Sequence, residues 1–237
     1  MLTWHLKGRI DPMGRLYLIR HGQASLGSEN YDQLSKLGKQ QAHLLGEYFK
    51  LNKIHFDQVV CGAQVRHKET AQHFLKGHQS TTSIPLLTLT QFNEFNFEAI
   101  IQAYLTCNPD QSLTQFTGPA LFHLLKKSLH SWSKNELNLW NEESWEDFRL
   151  RLSQGLSQLQ AEFHQQDILL FTSGGPISHL VSQMLGTSKE ACIDLNLSIQ
   201  NTSVTQCLMT QDKISLHSFN ELAHLQTPDR MALRSYS

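Results

Sequence analysis

The sequence is poor in charge and has no long apolar run. Charged residues make up 17% of its 237 residues, against about 25% in typical soluble domains, and 22 glutamines account for much of the shortfall. With 20 Lys+Arg against 21 Asp+Glu, the net charge of −1 leaves no excess of positive charge for an anionic partner. No segment approaches the roughly 18 apolar residues of a membrane helix. We therefore expect neither nucleic acid nor a membrane among the partners.

Cysteine is also scarce, and its spacing indicates no metal site. No cysteine belongs to a Cys-x-x-Cys pair or lies at zinc-ligand spacing from a histidine; the four are Cys61, Cys107, Cys192 and Cys207. This pattern predicts a reduced, metal-free, cytoplasmic protein. The N-terminus carries His5, Lys7 and Arg9 and has no apolar core of signal-peptide length, so secretion is not expected. Met13 stands just before the first predicted strand, so residues 1–12 are predicted to be a flexible leader.

Short apolar runs alternate with segments of helical periodicity. The runs predict strands at residues 16–19, 59–61, 84–89, 168–171, 203–209 and 214–219. Strands that alternate with helices indicate an α/β fold, and we expect a three-layer α/β/α sandwich around a mostly parallel central sheet. Only helical patterning occupies residues 98–165, with Ser144 and Asp147 as a capping box. We predict one domain over 13–237, with a helical insertion at about 98–140 that covers the strand ends.

Three unusual clusters follow predicted strands. They are Arg20-His21-Gly22, Arg66 just after Cys61-Gly62, and Ser173-Gly174-Gly175 before a helix. Ligands of parallel α/β sheets collect at the carboxyl ends of the strands, so these clusters are expected to face one crevice. Guanidinium groups bind phosphate through a planar fork, and a Gly-Gly turn into a helix offers backbone N–H groups. Together the clusters predict an oxyanion or phosphate site.

These motifs resemble the histidine phosphatase superfamily, which includes the cofactor-dependent phosphoglycerate mutases. The matching segments are residues 18–22, 31–35 with Gly38 and Gln41-Ala42, Arg66 with Thr70-Ala71, Glu94, Ser173-Gly174-Gly175 and Asn201-Thr202-Ser203. The resemblance implies that His21 is a nucleophile that becomes phosphohistidine. It further implies that Arg20 and Arg66, with Ser173 and Gly174, hold the phosphoryl oxygens and that Glu94 gives a proton to the leaving group. It implies no cofactor and no metal, and a small phosphorylated molecule as partner.

The chemistry is consistent with the residue types. A neutral imidazole can attack phosphorus at pH 7, because its pKa of about 6.5 leaves it largely unprotonated. Two guanidinium groups match the charge on the equatorial oxygens. An alkoxide is a poor leaving group and needs a carboxylic acid as proton donor. Glu94 has aromatic neighbours suited to raise its pKa, and Glu98 is the alternative candidate.

Two features depart from the family pattern. Ser173 stands where a second histidine usually precedes Gly-Gly, which indicates a subgroup with Ser-Gly-Gly, and neither His179 nor a nearer histidine lies in register to replace it. The loop after His21 is also shorter than in the mutases. Candidates for a replacement substrate pocket are Gln23, Ser25, Asn30 and, near the C-terminus, His224.

The sequence leaves several functions open. The first hypothesis is a phosphomonoester hydrolase that acts through phosphohistidine. The alternative is a phosphate-ligand-binding pseudo-phosphatase with little or no activity, because Ser173 offers only a neutral donor. Phosphoglycerate mutase-type transfer ranks third, and dinucleotide binding ranks last because both strand-helix turns lack Gly-x-Gly-x-x-Gly. The substrate and the oligomeric state are not readable from the sequence.

Overall fold

The core of the molecule is a six-stranded sheet. The computed structural model describes residues 13–25, 32–79, 84–112 and 119–236. The strands are β1 (Gly14–Arg20), β2 (Gln58–Cys61), β3 (Leu86–Thr88), β4 (Ile168–Thr172), β5 (Val204–Met209) and β6 (Ile214–Glu221). Their order is β3-β2-β4-β1-β5-β6, with the first four parallel to one another and β5 and β6 antiparallel to their neighbours.

Seven α-helices connect or flank the strands in the described part of the chain. They are α1 (Lys36–Leu51), α2 (Val65–His78), α3 (Phe97–Cys107), α4 (Pro119–Ser133), α5 (Trp145–Phe163), α6 (Gly174–Leu185) and α7 (Lys189–Ser198). Side-chain caps explain several starts: Ser35 accepts from the backbone N–H of Gly38, and Ser144 forms the expected capping box with Asp147. A short 3₁₀ helix, Thr90–Phe92, follows β3.

Alternating side chains of the central strands build two separate cores. On β1, Leu16 and Leu18 belong to the core that contains Phe148, whereas Tyr17 and Ile19 belong to the one that contains Phe49. The first core lies under α5, α6 and α7, and the second lies under α1 and α2. Both faces of the sheet are therefore covered by helices, as the buried strands require. The predicted three-layer α/β sandwich with a mostly parallel sheet is confirmed.

The described part of the segment between β3 and α5 contains helices joined by loops, and no strand. α3 packs on α4, and α4 reaches α7, so these helices form a cluster beside the sheet. A small apolar core of Ile101, Leu105 and Leu124 joins α3 to α4. The predicted bounds of the insertion stay a prediction, and the predicted leader, residues 1–12, lies outside the described residues.

Some element bounds differ from the prediction. The third strand is shorter than predicted, because only Leu86–Thr88 pairs with β2. α6 begins at Gly174, so the Gly-Gly pair that the sequence placed before a helix forms the first residues of that helix. α7 was not predicted, and of its residues only Cys192 and Ile193 are fully buried, so it presents no clear apolar stripe. Within the described ranges, no helix combines the length and apolar character needed to cross a bilayer.

The strand ends bring the sequence clusters together. In the register of β1 with β4, Arg20 lies beside Thr172, and the backbone N–H of His21 donates to the carbonyl of Thr172 at 2.8 Å. On the other side of β4, the N–H of Gly62 donates to the carbonyl of Phe171 at 3.0 Å. The carboxyl ends of β1, β4 and β2 thus meet at one edge of the sheet, and the three sequence clusters lie together there.

Candidate active site

His21 is buried and held as a neutral imidazole. Its side chain is 4% exposed, and Nδ1 lies 2.7 Å from the carbonyl oxygen of Gly22. Because a carbonyl only accepts, Nδ1 carries the proton and Nε2 keeps its lone pair. Burial, followed by the charges of Arg66 and Arg20, lowers the pKa of His21 well below its usual value. The imidazole therefore stays neutral in mildly acidic solution, with its lone pair on Nε2.

The backbone around His21 is fixed by residues from three other segments. The amide of Asn201 donates to the carbonyl of His21 at 3.0 Å, and the N–H of Gly22 donates to the hydroxyl of Thr70 at 3.1 Å. A Cβ at Gly22 would lie 2.4 Å from the carbonyl oxygen of Gly38, so the loop passes too close to α1 for any side chain. This anchoring sets the direction of the imidazole.

Arg66 is a buried arginine in the first turn of α2. It is 5% exposed, and its guanidinium donates to Asp32 at 2.7 Å and to Gln64 at 3.1 Å. Asp32 also accepts from the backbone N–H of Val65, so one carboxylate fixes both the helix start and the guanidinium. The sequence motif found Arg66 but gave no indication that Gln64 and Asp32 hold it.

Arg20 ends β1 and directs its guanidinium to the same edge. Its Nη1 donates to the carbonyl of Ile199 at 2.5 Å. The charges of Arg20 and Arg66 both lower the pKa of His21, behind the larger effect of burial, and both oppose the rise of the pKa of Glu94. Two positive charges therefore act on the imidazole and on the carboxyl group, an arrangement suited to a dianionic phosphoryl group.

Glu94 lies against the start of α6. Its two carboxyl oxygens accept from the backbone N–H of Gly175 at 3.0 Å and of Phe95 at 3.1 Å. Burial raises the pKa of Glu94, although these two bonds and both arginines oppose the rise. A Cβ at Gly175 would lie 2.1 Å from a carboxyl oxygen of Glu94, so glycine is needed there. Glu98, the alternative donor, is exposed in the first turn of α3.

Ser173 has a histidine partner that the sequence analysis missed. Ser173 and His67 are both 0% exposed, and the hydroxyl lies 2.7 Å from Nε2 of His67. This histidine does not lie in register with Ser173 in the sequence, because His67 comes from α2 rather than from α6. The ring centroids of His67 and His21 are 5.8 Å apart. The sequence shows that His67 directly follows Arg66 in the motif, but this adjacency does not indicate a contact with Ser173.

The remaining predicted residues lie at the border of the site. Gln23 accepts from the hydroxyl of Ser35 at 2.8 Å, and the N–H of Ser25 donates to the carbonyl of Gln33 at 2.8 Å. His224 is buried with Nε2 3.0 Å from the hydroxyl of Thr202. Their part in a substrate pocket stays a prediction. Gly174 begins α6, and Asn30 lies outside the described residues.

Buried neutral histidines make the fold sensitive to acid. The pKa values of His21 and His67 are lowered well below the usual value, and those of His179 and His224 are lowered to about 4 and about 3, in each case mainly by burial. Because the unfolded chain binds these protons near pH 6.5, their stabilising effect is complete above that pH and is lost as the pH falls toward the folded values.

We expect the free energy of unfolding to fall below about pH 6.5, by up to about 1.4 kcal/mol per pH unit for each such histidine. Urea denaturation between neutral pH and pH 4.5 measures this slope. His224→Gln should make it shallower, whereas His217→Gln, at an exposed position on β6, should not. An equal slope in both variants and the wild type would contradict the assignment.

In the part of the chain that is described, no three His, Cys, Asp or Glu side chains converge as metal ligands would.

A family model for the histidine phosphatase superfamily (branch 1) matches residues 16–222. The chain belongs to this superfamily. The match spans β1 to β6 and contains every site residue described above except His224. No curated protein matches the sequence.

Solved structures of the same fold include phosphatases and a mutase. Phosphoglycerate mutase from Bacillus anthracis is 20% identical, with a TM-score of 0.65 over 90% of this chain and 96% of its own. A putative alpha-ribazole-5'-P phosphatase from Escherichia coli is 21% identical, with a TM-score of 0.64 over 89% and 97%. Phosphoserine phosphatase from Entamoeba histolytica, solved with 3-phosphoglyceric acid, is 18% identical, with a TM-score of 0.62 over 90% and 99%. At these identities the similarity establishes the fold.

Proposed function

We propose that this histidine phosphatase superfamily member hydrolyses phosphomonoesters of a small molecule through a phosphohistidine on His21. The observation that carries the proposal is the bond from Nδ1 of His21 to the carbonyl of Gly22, which leaves a neutral Nε2 beside the charges of Arg20 and Arg66. Membership of the superfamily supports phosphoryl transfer, and so do the neighbours that are named as phosphatases.

The proposed reaction has two steps. The lone pair on Nε2 of His21 forms a bond to phosphorus, the bond from phosphorus to the ester oxygen breaks, and Glu94 gives its carboxyl proton to that oxygen. Water then attacks phosphorus, its proton passes to the Glu94 carboxylate, and the N–P bond breaks with its electron pair returning to Nε2. The guanidinium groups of Arg20 and Arg66, with the N–H of Gly174 at the start of α6, hold the phosphoryl oxygens.

Ser173 sets the expected rate. A hydroxyl replaces a charged donor by a neutral one, which weakens transition-state stabilisation by about 1 to 3 kcal/mol and slows the reaction roughly ten- to a hundredfold. We therefore propose a slow member of a Ser-Gly-Gly subgroup. The metal-independent reaction and the cytoplasmic location stay predictions from the sequence.

The neutral hydroxyl of Ser173 also favours the second candidate, a pseudo-phosphatase that binds a phosphorylated ligand without hydrolysing it. Phosphate release from 4-nitrophenyl phosphate and from a panel of aliphatic phosphomonoesters, measured with chelator present, separates the two functions. Hydrolysis supports the enzyme. Binding of orthovanadate without hydrolysis of any ester supports the pseudo-phosphatase, and phosphoryl exchange between phosphoglycerates would instead support a mutase.

Arg66 is expected to require a guanidinium. Lysine offers a point charge in place of the fork that Arg66 presents to Asp32, to Gln64 and to an incoming anion. Arg66→Lys should weaken phosphate and vanadate binding by several-fold or more, measured by isothermal titration. The matched control is Arg149→Lys on the exposed face of α5, which should leave anion affinity unchanged. Equal affinities in the two variants would remove Arg66 from the anion site.

A further inference from the structure

The buried pair of Ser173 and His67 has a defined place in the site. Ser173 is the residue between the end of β4 and the first N–H groups of α6, and its side chain caps no backbone group of that helix. Its hydroxyl lies 2.7 Å from Nε2 of His67. One residue earlier, Thr172 is bonded to the backbone of His21. The pair therefore adjoins the proposed nucleophile without touching solvent.

The direction of the Ser173–His67 bond follows from the other ring nitrogen. Nδ1 of His67 is buried and has no hydrogen-bond partner among the described residues. It faces Gly62, where a Cβ would lie only 2.2 Å away, so the group opposite Nδ1 is a Cα–H. A C–H is a weak donor and cannot accept a hydrogen bond. A proton on Nδ1 would thus have no acceptor, whereas a lone pair on Nδ1 can face the C–H of Gly62 without losing a hydrogen bond.

The proton of neutral His67 consequently belongs on Nε2. Burial, followed by the charge of Arg66, lowers the pKa of His67, which excludes the doubly protonated ring at neutral pH. With the proton on Nε2, His67 donates and the oxygen of Ser173 accepts. The hydroxyl hydrogen of Ser173 is then available to donate in a second direction, and accepting a bond makes that hydroxyl a better donor.

We propose that His67 is a positioning residue that donates from Nε2 to Ser173 and so turns the Ser173 hydroxyl toward a phosphoryl oxygen bound at His21. The inference rests on the proposed function, because it specifies how that site binds a phosphoryl group. It assigns Ser173 a fixed orientation, and it gives Gly62 a role, since any side chain there would displace the His67 ring.

Two substitutions of similar size test the positioning role. Gln retains an N–H donor close to the position of Nε2, whereas Leu fills similar volume without a donor. We expect His67→Leu and Ser173→Ala each to weaken orthovanadate binding by roughly tenfold, and the double variant to be no weaker than either single variant. His67→Gln should stay within about threefold of the wild type. His78→Leu, at the other end of α2, is the matched control and should bind as the wild type does.

Other outcomes would overturn the proposal. Equal losses in His67→Leu and His67→Gln would indicate packing alone, and additive losses in the double variant would show that the two side chains act separately. An independent measurement on the wild type is the ¹⁵N chemical shift of His67. A proton on Nε2 supports the proposal, whereas a proton on Nδ1 would show that Ser173 donates to His67, and this measurement stands even if a variant does not fold.

The proposed function and this inference fail in different ways. A wild type that binds vanadate with the coupled losses described, yet hydrolyses no ester, supports the role of His67 and contradicts the hydrolase. Full hydrolysis that requires His21 but is unchanged in His67→Leu, in both kcat and KM, supports the hydrolase and overturns the role of His67.

Discussion

His21→Ala should abolish phosphomonoester hydrolysis, with a loss on the order of 10⁴-fold or more. The substitution removes the attacking atom, and the residues that remain can bind a phosphate but cannot form a covalent intermediate. The bond of Nδ1 to Gly22 and the lowered pKa both keep Nε2 unprotonated in the wild type. Quenching the wild type in alkali during turnover, followed by peptide mass spectrometry, should locate a phosphoryl group on His21.

A histidine elsewhere on the surface provides the comparison. His73→Ala, on the partly exposed face of α2, should hydrolyse the same esters at the wild-type rate. Thermal melts of both variants show whether the fold is retained. Phosphorylation found on another residue, or activity that survives in folded His21→Ala, would exclude the phosphohistidine reaction.

Glu94→Gln should slow hydrolysis of aliphatic phosphomonoesters by about 10²- to 10⁴-fold, the usual contribution of a general acid. An aryl ester such as 4-nitrophenyl phosphate has a good leaving group and should lose far less. Gln has one acceptor oxygen, so it retains one of the two bonds from Gly175 and Phe95. Any resulting distortion would affect both esters alike. The ratio of kcat/KM for the two substrates therefore measures proton donation itself.

The pH profile gives a second measure of Glu94. Burial raises the pKa of Glu94, and the acid must be protonated to donate, so the rate on aliphatic esters should fall as pH rises through that raised value. Glu94→Gln should lose this limb. Glu98→Gln should keep both the limb and the rate, because Glu98 is exposed at the start of α3. A substrate ratio that changes in Glu98→Gln instead would reverse the assignment.

Local motifs predicted the parts of the site that each strand end carries. Arg20 and His21 follow an apolar run directly, and the Gly-Gly turn precedes α6, so the topology of parallel strands is enough to expect them at one edge. The contact between His67 and Ser173 was not predictable in this way, because the two residues lie on different elements and share no spacing pattern. It depends on the exact approach of α2 to β4 and on the space left by Gly62.

The contacts that support Arg66 and Glu94 were also not predictable from the sequence, because together they join residues of different elements. Gln64 accepts from both Arg66 and the backbone of Glu94, which links two predicted residues through a glutamine in a glutamine-rich chain. Composition makes such a residue inconspicuous. α7 escaped prediction because few of its side chains are buried, so no period of apolar residues marks it.

The central place of β1 affects how the chain can fold during synthesis. Leu16 pairs with Ile168 on one side and with Cys207 on the other, so both neighbours of the first strand are made after about 150 further residues. Until they emerge from the ribosome, this apolar strand has two open edges, the kind of surface that promotes aggregation. The positioning of the nucleophile is delayed for the same reason, because Asn201, which fixes the backbone of His21, is synthesised long after His21 itself. Fragments cut before Asn201 should therefore require chaperones to stay dispersed, and they should lack an ordered phosphate site.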